Sequence, residues 1–217
     1  ITIGEANMWT SEDSQPRDSW LGDIAIAGAL VVIGVLLRLL CVSWPNFSPV
    51  AGLALLAGLT MRHRRLAVFI PIMTMLISDQ FLTGYEFQVM VSVYGCLVAP
   101  VFLGRLGRSW LLKSQSRLWM RALGLGTAAG LASSTLFFLV TNATYWMTFE
   151  IGHRSLWQCY IDGLPFFRYT ASGDLIFSMV ATLVTSSVAV FSRAAQTSAS
   201  IKTCLLYTSD AADDSLR

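Results

Sequence analysis

The residues best able to do chemistry in this chain gather around Trp44-Pro-Asn-Phe-Ser-Pro-Val50. Asn46 supplies an amide and Ser48 a hydroxyl, while Trp44 and Phe47 supply broad apolar faces. Pro45 and Pro49 each lack an amide hydrogen and crowd the preceding turn, so no regular helix crosses the stretch. Apolar runs end near Val42 and resume near Val50. A kinked, polar and aromatic connection beside lipid is tolerated where it reaches water or lines a cavity. The chemistry that suits it is hydrogen bonding and stacking on a small solute. The competing reading is an interfacial turn whose prolines only end helices.

Polar residues near the ends of other apolar runs extend this candidate pocket. Arg38 falls about one turn short of its run's end and needs a counter-ion or a path to water for its head. Asp79 closes Met75-Leu-Ile-Ser-Asp79, and an Arg38–Asp79 pair would serve structure or a substrate. Asp174 follows Ser172-Gly173, where a carboxylate suits the positive end of a starting helix. Asn142 ends Leu136-Phe-Phe-Leu-Val-Thr-Asn142, with Trp146 four residues on. That amide and indole would hold a polar ligand or anchor the membrane interface. The expected binding set is Arg38, Asn46, Phe47, Ser48, Asp79, Asn142, Trp146, Tyr160 and Asp174.

Catalytic readings fail. No Gly-x-x-x-x-Gly-Lys-Ser/Thr loop is present, nor Gly-x-Ser-x-Gly, nor His-Glu-x-x-His. A metal site would rest on His153 alone, because His63 sits in a basic turn. Cys41, Cys96, Cys159 and Cys204 lack Cys-x-x-Cys spacing. Cys41 and Cys159 fall on the same side of the membrane in the expected topology and could pair, with free thiols the favoured state. The chain is expected not to be an enzyme, and to use no catalytic residue, metal, cofactor or nucleic acid.

Membrane helices must position these groups. Apolar types make up 54% of the 217 residues and charged types only 13%, and mean hydropathy is +0.59. An average soluble domain is about 25% charged. The fold class expected is therefore all-α, a bundle of about six transmembrane helices. The spans fall at about 21–42, 49–61, 66–78, 87–103, 122–140 and 175–191. A span needs about 20 residues, so the second and third are short. The turn joining them reads Arg62-His-Arg-Arg65. Each Arg at mid-bilayer costs about 2.5–3.5 kcal/mol, which argues against a re-entrant hairpin and for two full spans extended at their ends.

Charge sets the orientation. Twelve of the 15 Lys and Arg fall in every second connection or in the tails, and six spans then leave both N- and C-termini cytoplasmic. The opposite side gathers Asp79, Glu86, Glu150, Asp162 and Asp174 with many aromatics. Residues 141–173 would form an outer loop of over thirty residues, too aromatic for disorder, and so a lid or an outer helix. Residues 1–20 form a polar tail without the basic start of a secretory signal; the chain begins at Ile1, and Met8 offers a start. Residues 193–217 form a second tail, non-native in character from about 203, where it resembles translated adapter sequence. Small residues Ala25 and Ala29, four apart in the first span, suit close packing against a partner helix. The fifth span, rich in Gly and Ala, is expected to lie inside the bundle.

Taken as a set, several of these pieces resemble a bacterial family of membrane proteins of unknown function. They are Arg38-Leu-Leu, Pro45-Asn-Phe-Ser-Pro-Val-Ala51, Ala54-Leu-Leu-Ala-Gly58, Pro71 with Met75-Leu-Ile-Ser-Asp79, Gly84, Leu136–Asn142 with Trp146, Cys159-Tyr160, Gly163-Leu-Pro-Phe-Phe167 and Gly173-Asp174. That family is similar in turn to the substrate-capture subunits of energy-coupling-factor transporters. The resemblance spans about residues 22–192. It implies six helices, an outward pocket closed by loops, and a first helix docking on a transmembrane coupling subunit driven by separate ATPases. The Met-x-His arm of cobalt and nickel capture subunits is missing, which disfavours a metal substrate. The expected function is a binding subunit for uptake of a small-molecule solute in the inner (plasma) membrane. The alternative is a scaffold in the lipid bilayer whose outer loop binds another protein.

Overall fold

The computed structural model describes residues 17–44, 47–82, 86–113 and 115–214, with side chains described only between 20 and 198. Among the described residues every regular element is helical. They are α1 (Arg17–Leu40), α2 (Val50–Thr60), α3 (Arg64–Asp79), α4 (Phe87–Leu112), α5 (Leu118–Tyr145) and α6 (Leu156–Asp214), with a π-helical segment, Trp146–Glu150, continuing α5. Four stretches are long and apolar enough to cross a membrane: Trp20–Leu40, Phe87–Leu112, Leu118–Glu150 and Leu156–Ser198. Large apolar side chains such as Ile26, Val32, Leu106, Val188 and Phe191 lie on the outside. Water would penalise that surface and lipid would not. The chain is a multi-pass membrane protein.

The short helix α2 sits at the centre. Nine of its 11 residues are buried, and it packs among α3, α4 and α6. A helix apolar on every side belongs in a core. Its closest neighbour is α4, where Gly58 faces the Val101 carbonyl and Gly104 faces the Leu55 carbonyl. Only glycine lets two backbones come this near. The pair α5–α6 uses the same device: a Cβ on Gly130 would lie 2.9 Å from the Asp174 carbonyl oxygen. Of the small residues expected to bury α5, Gly126, Ala129, Gly130 and Ser133 face inward, while Gly124, Ala128 and Ala132 do not.

Basic groups collect at one end of the bundle. Arg105 donates to the Met61 carbonyl at 3.4 Å, Arg64 stacks on Phe102, Arg121 stacks on Trp110, and Arg193 reaches Gln115 and the Leu112 carbonyl. His63, in the α2–α3 turn, faces Asp23 of α1 at 3.9 Å.

The helices differ in extent from the expected spans. α2 does not extend into the Trp44–Pro49 connection, because Pro49 stands at its N-cap and the chain turns there. It is about 16 Å long at 1.5 Å per residue and does not cross a bilayer unaided. α4 runs nine residues beyond Leu103, so Arg105 and Arg108 lie on a helix and not in a loop. Residues 141–173 are not a loop of thirty residues; of the two expected alternatives, lid or helix, they take the helical one. They are the end of α5, the π segment, a connection at 151–155 and the first 18 residues of α6. Pro165 lies within α6, where its missing amide is tolerated in a membrane helix packed on a neighbour. Gly152 makes the turn with φ +85°, a conformation that costs other residues energy. Ser155 and Gln158 then start α6 reciprocally: Gln158 N–H donates to Ser155 Oγ at 3.3 Å, and Ser155 N–H donates to Gln158 Oε1 at 3.0 Å. α6 also continues through much of what reads as a tail.

Candidate functional site

A cavity of about 610 Å³ opens at the end of the bundle opposite the basic groups. Its existence follows from unequal helix lengths. α2 and α3 leave the same turn, but α3 is five residues longer and so ends about 8 Å farther out. Residues 47–49 therefore lie inward, just ahead of Val50. Phe47 and Ser48 come to rest against Gly173, well inside α6, where a Cβ would lie 3.2 Å from the Phe47 ring. That segment forms one wall. α4 contributes Val89, Val93 and Leu97; α5 contributes Phe137, Phe138, Thr141, Asn142 and Tyr145; α6 contributes Gly163, Phe166, Phe167, Thr170 and Asp174.

Five residues of the expected set line this cavity: Arg38, Phe47, Ser48, Asn142 and Asp174. Asn46 lies outside the described residues. Asp79 stands behind the wall and holds Arg38. Trp146 and Tyr160 do not line it. The Trp146 indole donates to the Arg154 carbonyl at 2.7 Å and ties the α5–α6 connection. The Tyr160 hydroxyl donates to the Leu139 carbonyl at 2.9 Å and ties α6 to α5.

Arg38 is only 9% exposed and is fully engaged on one side. Its Nη1 donates to Asp79 Oδ1 at 2.5 Å and to the Ser78 hydroxyl. Asp79 Oδ2 in turn accepts from the Tyr94 hydroxyl at 2.7 Å. Ser78 donates onward to the Thr74 carbonyl. A largely buried guanidinium at the cavity wall thus finds its counter-ion in Asp79. Tyr94 is a member that the apolar runs did not suggest; a phenol inside a span is itself the signal, since a buried hydroxyl needs a partner. Replacing Tyr94 with Phe removes one charge-assisted bond, and denaturant titration in mixed micelles is expected to show a loss of about 1.5 kcal/mol. No change would mean that Asp79 is satisfied without it.

Asp174 is placed differently from expectation. It does not cap a helix, because α6 begins 18 residues earlier. It sits mid-helix, 6% exposed, and faces the cavity. Among the described residues no cation or hydrogen-bond donor reaches its carboxylate. It belongs to a buried polar column at four-residue spacing along α6: Thr170, Asp174, Ser178, Thr182 and Ser186. Thr182 and Ser186 return their hydroxyls to helix carbonyls, whereas Ser178 Oγ has no partner among the described residues.

The remaining walls are aromatic. Trp44 meets Tyr169 edge-on at 6.4 Å, Phe47 meets Phe177 at 5.6 Å, and Phe138 meets Phe167 at 5.0 Å. Asn142 donates to the Phe138 carbonyl, and its Oδ1 sits so near Gly163 that a Cβ there would be 2.5 Å away. Cys41 lines the cavity as a free thiol, and Cys96 and Cys159 are free and buried, so Cys41 and Cys159 do not pair. Ala25 and Ala29 lie on the exposed face of α1, far from these walls, and a Cβ on neighbouring Gly28 would meet nothing within 4 Å. Among the described residues no group of three His, Cys, Asp or Glu is placed to hold a metal ion.

A family model described as "Family of unknown function (DUF6580)" matches residues 20–197. No curated protein and no solved structure matches the chain.

Proposed function

The chain belongs to the family of unknown function DUF6580, and from its cavity we propose that it captures a small solute for uptake across the cell's inner membrane. One observation carries this reading: Arg38, Phe47, Ser48, Asn142 and Asp174, from separate parts of the chain, converge on one cavity of about 610 Å³. Ligand pockets span about 300–1,000 Å³ and combine apolar walls with a few placed polar groups. The role is binding without catalysis. The basic end faces the cytoplasm in this reading, with both termini inside, so the cavity opens outward. The exposed small-residue face of α1 at Ala25 and Ala29 would dock a transmembrane coupling subunit, with separate ATPases supplying the energy. That arrangement rests on the resemblance of the sequence pieces to capture subunits of energy-coupling-factor transporters. A scaffold role loses much of its basis, since the outer loop it relied on is reduced to residues 151–155.

Two measurements test the reading. Native mass spectrometry of the full chain released from micelles is expected to show a retained solute, alone or with partner subunits. Cysteines placed at position 63 or 113 are expected to resist a membrane-impermeant thiol reagent on intact cells. Modification of either would put the cavity on the cytoplasmic face and end the uptake proposal.

A further inference from the structure

We infer that the solute is an organic cation with an aromatic or other apolar body, held by Asp174. This deepens the capture reading and depends on it. Among the described residues two charged groups line the cavity, Arg38 and Asp174, and one of them is unbalanced. Arg38 is neutralised by Asp79, which Tyr94 also engages. Arg168, the next arginine along α6, is exposed, stacks on Tyr169 and does not line the cavity. Asp174 has neither a cation nor a donor among the described residues, although it is 6% exposed and faces the cavity. An unpaired carboxylate so far from water is costly, and a bound cation would relieve that cost.

The walls suit the same ligand. Phe47, Phe138 and Phe167 line the cavity, and the negative face of an aromatic ring attracts a cationic centre. Anions would meet an uncompensated carboxylate and a guanidinium whose charge Asp79 already balances. A neutral solute could offer Asp174 at most a hydrogen bond and would leave its charge unbalanced.

Benzyltrimethylammonium serves as the probe, with benzyl alcohol and phenylacetate as neutral and anionic counterparts. Each is added to the purified full chain in lipid nanodiscs. Two readouts are taken: the unfolding midpoint, and the protection of Cys41, which lines the cavity, from N-ethylmaleimide. The cation is expected to raise the midpoint and protect Cys41, and phenylacetate to do neither. Asp174→Asn is expected to weaken the cation at least about tenfold. Asp174→Glu, which keeps the charge, should retain measurable protection. The inference is overturned if the cation does not bind, or binds Asp174→Asn equally well. The wild-type comparison of cation with anion needs no variant, so a misfolded mutant cannot hide the answer. If phenylacetate or benzyl alcohol protects Cys41 and the cation does not, the cavity still takes solutes and only the charge assignment falls. If none protects it and no solute is retained on purification, the capture reading falls as well.

Discussion

Replacing Asp79 with alanine is expected to destabilise the protein by about 3–5 kcal/mol, the cost of leaving a buried guanidinium without its partner. Arg38 is largely buried: its side chain is 10% exposed, and its Nη1 already points at Asp79 and Ser78. The variant should therefore be recovered in low yield and unfold early in a denaturant titration in mixed micelles. The reverse variant, Arg38→Met, should cost as much, because Asp79 then keeps only Tyr94. The double variant Arg38→Met/Asp79→Leu is the informative one. Removing both charges also removes both desolvation costs, so it should recover most of the loss. Additive losses in the double variant would show that the two groups do not act as a pair.

The second large effect belongs to the α2–α4 contact. A methyl group on Gly58 would strike the Val101 carbonyl, which is backbone and cannot swing aside. Gly104 makes the reciprocal approach, with a Cβ position 2.5 Å from the Leu55 carbonyl oxygen. Gly58→Ala is expected to cost on the order of 3 kcal/mol by forcing the helices apart. Gly28→Ala is the control, since nothing lies within 4 Å of that Cβ position. It should leave stability unchanged or slightly raised, because alanine favours the helix. Thermal unfolding of the two variants side by side would decide the matter, and equal midpoints would mean that α2 and α4 do not meet as described.

Much of the bundle was legible in the sequence. The apolar runs located all six helices, and the basic stretches Arg62–Arg65 and Arg105–Arg121 do gather at one end, the second of them mostly on helices α4 and α5. Helix ends were less legible, for a physical reason. Residues 156–173 carry Asp162, Pro165 and Arg168, so hydropathy fades although the backbone stays helical. The capping box Ser155-Leu-Trp-Gln158 marked the true start of α6 and outweighs the weaker cue at Ser172-Gly-Asp174. Misplacing that start turned Asp174 into a cap and hid its position facing the cavity. Of the site, the Trp44–Val50 kink and Asn142 were visible because prolines and amides interrupt apolar runs. Tyr94 and Thr170 were not, since each lies inside a run and matters only through what it faces across the bundle.

The brevity of α2 bears on how the protein is made. When the ribosome has delivered α1 to α3, an apolar rod of about 16 Å enters a membrane about 30 Å thick. It has little hold on lipid by itself, and the helices that enclose it, α4 and α6, have not yet been synthesised. The α2–α3 hairpin must wait, tethered by the arginines of its turn, until Val101, Gly104 and finally Phe177 arrive to seat it. The last helix to leave the translocon thus secures one of the first, and a lesion in α6 would show itself as a fault in the insertion of α2.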